Sequence, residues 1–226
     1  MMKNSVTLLS SSIVAVLSAL LSAACSSDAK TALPDAPALT ADAPIPAIDS
    51  NVATDAHVAI DAAPPTPITL FVSQSPTGGT MGGRDGADFA CMTSAGSLTC
   101  PSGVHALISI DDTDQLKDIP TNFSLPTDAA IVTITGVVVA ANWADLLDGT
   151  IDHNLEDAGL FAPDSQSNFW TGSGSDGSVS NTCQNWTSSD PSDTAEVGAS
   201  GATDVTWLDD GGLVCNATSD ILCLCY

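Results

Sequence analysis

Five carboxylates fall close together in "NWADLLDGTIDHNLED" (142–157): Asp145, Asp148, Asp152, Glu156 and Asp157. Calcium takes six to eight oxygen ligands, so Asp148, Asp152, Glu156 and Asp157, helped by loop carbonyls, make a candidate structural calcium site. The spacing is not that of an EF-hand: Gly149 stands at the wrong step, and no closing bidentate glutamate follows. The competing reading is that Asp145 and Asp148 cap turns while Trp143 and Leu147 fill the core. Asp209 and Asp210, followed by Gly211 and Gly212, read as a hairpin turn.

The four tryptophans are the second chemical resource, because indole faces stack on sugar rings and the N–H donates a hydrogen bond. Trp186 follows Cys183 closely and Trp207 sits on an apparent strand, so both are expected in the core. Trp143 and Trp170 lie among glycine, serine and aspartate, and are the candidates for an exposed platform beside Asp145 and Asp148. Nothing in the sequence has the pattern of a nucleophile elbow, a zinc-protease helix, a phosphate loop or a dinucleotide fingerprint. His105 stands in an apolar strand pattern, where a hydrogen-bonded core histidine is the expectation. The sequence therefore predicts a protein that is not an enzyme; its many carboxylates leave a glycoside-active enzyme as a third reading.

Charge narrows the partners. Four basic residues against 27 acidic ones give a formal net charge of −23, which leaves nothing to neutralise phosphates and excludes nucleic acid. A cation or a basic partner suits it better.

The first 24 residues read as an export signal: Lys3, then an apolar run over Val6–Leu21, then the small residues before Cys25. "LSAAC" is similar to a lipobox, with Cys25 as the acylated first residue, although Ser22 stands where leucine is usual. Ordinary cleavage after Ala24 is the alternative. Either way the chain is expected to be exported, to the outer membrane or cell surface through a lipid on Cys25, or otherwise secreted. Six cysteines remain: Cys91, Cys100, Cys183, Cys215, Cys223 and Cys225. An even set in an exported domain reads as disulfides, and with no CxxC pair present a zinc site is disfavoured.

These groups need elements to position them. Residues 25–67 hold no glycine and no aromatic after Cys25 but 7 of the 13 prolines, which forbids a continuous helix and predicts a disordered, acidic, extended tether. It could reach on the order of 100 Å. Residues 68–226 form the expected globular domain. Strands are predicted at 68–73, 104–110 and 129–139 (Gly136 a bulge or turn), and again in "DVTWL", "GLVCN" and "DILCLCY". A helix with Ala87, Ala90 and Cys91 on one face is predicted within 82–97, and a second with Leu116 and Ile119 inward. The pattern is α+β, with a long irregular loop region after Ala140.

In this order, "GGRDGADFAC", "ANWADLLDGT", "FWTGSGSDG", "TCQNWTSS" and the closing "CNATSDILC" resemble a domain-of-unknown-function family of bacterial surface lipoproteins, itself similar to the endostatin branch of the C-type-lectin-like fold. The resemblance covers nearly all of 68–226. It implies a single C-type-lectin-like, endostatin-like domain stapled by Cys91–Cys223 and Cys183–Cys215. Cys100 and Cys225 would add a third bridge, and from the sequence the partners of Cys91 and Cys100 could be exchanged. Calcium-dependent lectins of that fold use a Trp-Asn-Asp and a Glu-Pro-Asn or Gln-Pro-Asp; here Trp207 is followed by Leu208 and Asp209, and neither tripeptide occurs. The resemblance implies recognition of a glycan or protein ligand through the loops at 142–175, with a structural envelope lipoprotein as the alternative.

Overall fold

The computed structural model describes residues 65–165 and 167–226. The export segment, Cys25 and nearly all of the tether lie outside the described residues. The protein is mixed α+β: eight short strands in one sheet, few helices and three disulfides.

The last strand organises the sheet. β8 (Asp220–Cys225) pairs antiparallel with β1 (Ile68–Val72), with Thr69 opposite Cys225 and Val72 opposite Leu222. Along its other edge it meets β5 (Asn168–Trp170), in parallel at Asp220 and Ile221, and β2 (Val104–Ala106), antiparallel at Cys223 to Cys225. β3 (Ile131–Thr133) lies parallel to β1 and carries β4 (Val138–Ala140). β6 (Thr194–Ala199) follows β5 and pairs with β7 (Gly211–Val214) at the far edge.

Both faces of this sheet are covered, which is why β8 reads as a continuous apolar run rather than an alternation. Leu222 and Leu224 join Ile68, Leu70, Ile131, Trp143, Leu155 and Trp207 in one core. Ile221, Cys223 and Cys225 join Phe71, Trp170 and Trp186 in the other, under α1 (Gly83–Ser94), which buries Ala87 and Cys91 with Ala90 partly covered. Gly198 on β6 has no room for a side chain, which would collide with the Trp207 carbonyl and the Phe169 ring. Leu116 and Ile119 are fully buried on a 3-10 turn (Leu116–Asp118) running into α2 (Ile119–Phe123).

Cys91 is bonded to Cys223, Cys100 to Cys225 and Cys183 to Cys215. Cys223 and Cys225, two apart on β8, face the same side of the sheet, so α1 and the loop after it are tied to adjacent points.

Several expectations need correction. The stretch 129–139 holds two strands, divided as the sequence suggested by a turn at Gly136, which takes a φ of 85° and whose N–H reaches the Thr133 carbonyl; only the single-strand reading is replaced. "DVTWL" is no strand: the Asp204 carboxylate accepts from the N–H and hydroxyl of Thr206, which starts a 3-10 turn (Val205–Trp207). Asp209 and Asp210 make no hairpin with that segment, because β7 pairs with β6 and the Asp210 N–H bonds the Val197 carbonyl. The second half is also less irregular than expected, since β5 and β6 build its side of the sheet.

Two single turns complete the fold, α3 (Trp143–Leu146) and α4 (Cys183–Trp186). In α4 the backbone is left-handed: φ is 49°, 54°, 58° and 61° at Cys183, Gln184, Asn185 and Trp186. None is glycine, and the left-handed form costs L-residues about 1–2 kcal/mol each. Such a run persists only where its surroundings over-determine it.

Candidate functional site

An open cleft of about 650 Å³ lies where the loop after α3 meets the ends of β5 and β6. Leu155, fully buried, pins that loop to the core, and its N–H bonds the Ser200 carbonyl. This sets the flanking side chains on the rim. The Asn154 Oδ1 accepts from the Asp157 N–H at 2.7 Å, and its Nδ2 donates to the Asp157 carboxylate at 2.8 Å. Glu156 Oε1 accepts from the Ser200 hydroxyl at 2.7 Å and the Ser165 hydroxyl at 3.2 Å. Asp164, Asn168 and Asp210 supply the remaining polar wall, with Pro163, Ala199 and Ala202 as apolar surface. Four carboxylates and two carboxamides around an open cleft can accept hydrogen bonds from hydroxyls, ammonium groups or guanidinium groups.

Of the cleft's polar residues the sequence singled out only Glu156 and Asp157, and those as calcium ligands; it did not single out Asn154, Asp164, Asn168 or Asp210. Asp210 reaches the cleft only through the pairing of β5, β6 and β7, which no local pattern announces.

The tryptophan platform is overturned. Trp143 is 5% exposed and Trp170 is fully buried. Trp143 is the first residue of α3 and packs into the first core beside Leu146. Trp170 lies on an interior strand, stacks edge-on against Trp186 at 5.5 Å and donates its N–H to the Thr77 carbonyl at 2.7 Å. Trp186 and Trp207 are buried, as expected.

The calcium set is not gathered either. Among the described residues no group of three or more His, Cys, Asp or Glu side chains is placed to hold a metal ion. Asp148 closes its own turn, accepting from the N–H and hydroxyl of Thr150 at 3.0 and 2.9 Å. Asn142 caps α3, its Oδ1 accepting from the Asp145 N–H, and the Asp145 carboxylate is spent reaching back to accept from the Ala141 N–H. Asp152 is exposed beside β4, its N–H bonded to the Val139 carbonyl, and Asp157 is taken by Asn154. The same Asp-x-Ser/Thr turn recurs at Asp111, Asp176, Asp190 and Asp204. Hydrogen bonds from the following Thr or Ser hold all four of those carboxyls below their ordinary range.

His105 is hydrogen-bonded, as expected, but is only partly buried rather than in the core. It lies at the edge, 21% exposed in its side chain, with Nδ1 2.7 Å from Asp88 Oδ2 and its ring stacked on Phe123 at 3.9 Å.

One carboxyl pair does come together. Glu196, 6% exposed on β6, accepts from the Ser180 hydroxyl and lies in hydrogen-bonding contact with Asp209, which accepts from the Ser175 N–H. Burial, and then the Asp209 charge, push the Glu196 carboxyl above its ordinary 4.5. Because the folded pKa is raised, this group's stabilisation is complete below pH 4.5 and fades as pH rises through the folded value. Glu196→Gln keeps a donor toward Asp209 and an acceptor for Ser180. It is expected to raise Tm at pH 7 by roughly 2–4 °C, about one hydrogen bond's worth, with the gain vanishing at pH 4. Thermal melts of both proteins across that range check it; a constant offset would contradict the pH dependence expected of the raised Glu196 carboxyl.

Compared with known proteins, the chain matches no family model, and no curated protein shows significant similarity to it.

Proposed function

We propose that this is a surface-presented recognition protein: a non-catalytic lectin-like head of the endostatin-like, C-type-lectin-like kind, on an acidic tether fixed to the membrane through Cys25. The head binds a glycan or protein ligand through the acidic cleft. One observation carries this reading: an open cleft ringed by four carboxylates and two carboxamides falls beside the loop-rich stretch where recognition is expected. With the tryptophans buried, polar contacts rather than ring stacking give the site its selectivity.

The test is a glycan array probed with the oxidised full-length protein, once with calcium and once with EDTA, beside an Asp164→Asn/Asp210→Asn variant. Hits in both buffers that weaken about tenfold in the variant, roughly 1.4 kcal/mol, are the expected result. Calcium-dependent hits would restore the metal reading. A blank array would favour a protein ligand or a structural envelope role.

A further inference from the structure

The left-handed turn α4 borders a second groove, away from the acidic cleft. Its strain is held from outside by three kinds of clamp. Cys183 is bonded to Cys215, and its carbonyl accepts from the N–H groups of Thr187 and Ser188 at 3.1 and 2.9 Å. Trp186 is fully buried, donates from Nε1 to the Ser109 carbonyl at 2.8 Å, and offers its own carbonyl to the Gly82 N–H. Thr182 accepts from the Asn185 N–H through its hydroxyl and from the Trp186 N–H through its carbonyl. The turn carries Cys183 and Trp186 into the core, while the side chains of its middle residues, Gln184 and Asn185, are left exposed.

What the geometry does is set Gln184 into the wall of a groove of about 380 Å³. Ser180, Asn181, Ser192, Asp193 and Thr194 complete the wall: hydroxyls and carboxamides, with a single carboxylate. That carboxylate is already engaged, accepting from Gln184 Nε2 at 2.7 Å and from the Ser188 hydroxyl. Ser180 is likewise oriented by its bond to the buried Glu196. The groove is thus a pre-arranged set of neutral donors and acceptors, unlike the four-carboxylate cleft. Carboxamides and hydroxyls each donate and accept, which matches the dual character of sugar hydroxyls.

We propose that the groove over α4 is a binding subsite for a neutral glycan, with Asn181 and Gln184 as its principal hydrogen-bonding residues. This deepens the recognition reading above and rests on it.

The experiment titrates the ¹⁵N-labelled full chain with maltotriose, mannotriose and triacetylchitotriose to about 10 mM, a range that reports millimolar affinity. At least one of the three should shift the side-chain amides of Asn181 and Gln184. Asn181→Ala should weaken that binding at least tenfold, and Asp164→Asn/Asp210→Asn should leave it unchanged. Gln184→Gly keeps the proposal testable if other variants misfold, because glycine suits the left-handed backbone. It should lose binding while melting at or above the wild-type temperature, a combination that a purely structural role for Gln184 would not give. Shifts confined to Asp157, Asp164 and Asp210 would overturn the groove and leave the cleft reading standing. No shifts from any of the three, with array hits retained, would overturn the groove alone. No shifts together with a blank array would overturn both the groove and glycan recognition.

Discussion

Removing either long-range disulfide alone leaves a folded protein, and removing both together does not. Cys91–Cys223 and Cys100–Cys225 each span more than a hundred residues, 132 and 125 in sequence separation. In the chain-entropy model a first bridge of that length stabilises by about 5 kcal/mol. The second adds less, because the denatured chain is already closed by the first. With Cys100–Cys225 in place, Cys91–Cys223 closes a ring of only about a dozen residues, worth about 3 kcal/mol. The expected losses are therefore about 3 kcal/mol for either Cys→Ala pair and about 8 kcal/mol for all four substitutions, more than the sum of the pairs.

A loss of about 8 kcal/mol rivals the whole stability of an ordinary domain. Each pair variant should melt roughly 6–12 °C lower, while the quadruple variant should show no cooperative transition above room temperature. Thermal unfolding by circular dichroism without reductant checks this. A loss of 5 kcal/mol from each pair separately would mean that the bridges act independently. Cys183–Cys215 closes a separate loop, 32 in separation, nominally worth about 4 kcal/mol. Its removal should cost less than that, because α4 is then free to leave its left-handed backbone.

The strongest parts of the fold are those the sequence shows locally. β1, β8 and the inward face of α1 are legible because their apolar residues recur at the period of the element that holds them. β5 and β6 are not legible: three residues carry no period, and "TAEVGA" places Glu196 in the middle of a strand that is nonetheless buried. The exposure expected of Trp143 and Trp170 rested on their glycine- and serine-rich neighbours. A sheet covered on both faces needs large side chains on each side, and that demand comes from the topology. Carboxylates misled in the same way. Asp148 is spoken for by Thr150 two residues on, a signal present in the sequence as Asp-x-Thr and repeated at Asp111 and Asp204. The cleft collects residues from 154 to 210, so its membership follows from where the loop after α3 docks on the paired strands.

The chain's only arginine sets the other large effect. Arg84, on the first turn of α1, directs its five N–H donors to five acceptors. Nε and Nη2 grip Asp114 at 2.9 Å each, Nη1 reaches Asp88 and the Ala106 carbonyl, and Nη2 also reaches the Ile108 carbonyl at 2.7 Å. The guanidinium lies 5.3 Å from the Phe123 ring centre. It therefore joins α1, the segment after β2, the turn at Asp114 and α2. Asp88 in turn holds His105 and the Ala106 N–H, so losing Arg84 would leave two largely covered carboxylates and two carbonyls short of donors.

Breaking such a network by deleting one partner costs about 3–5 kcal/mol, which is the expectation for Arg84→Met. Arg84→Lys separates charge from geometry. An ammonium keeps the charge but has three donors and no planar fork, so it cannot grip Asp114 with two bonds and still reach both carbonyls. A loss of about 2 kcal/mol, against nearly none if charge alone mattered, is expected for the lysine variant. Urea unfolding of the three proteins distinguishes the cases, provided the slope stays constant and only the midpoint moves. Equal stability of Arg84→Lys and wild type would reduce this network to simple charge pairing.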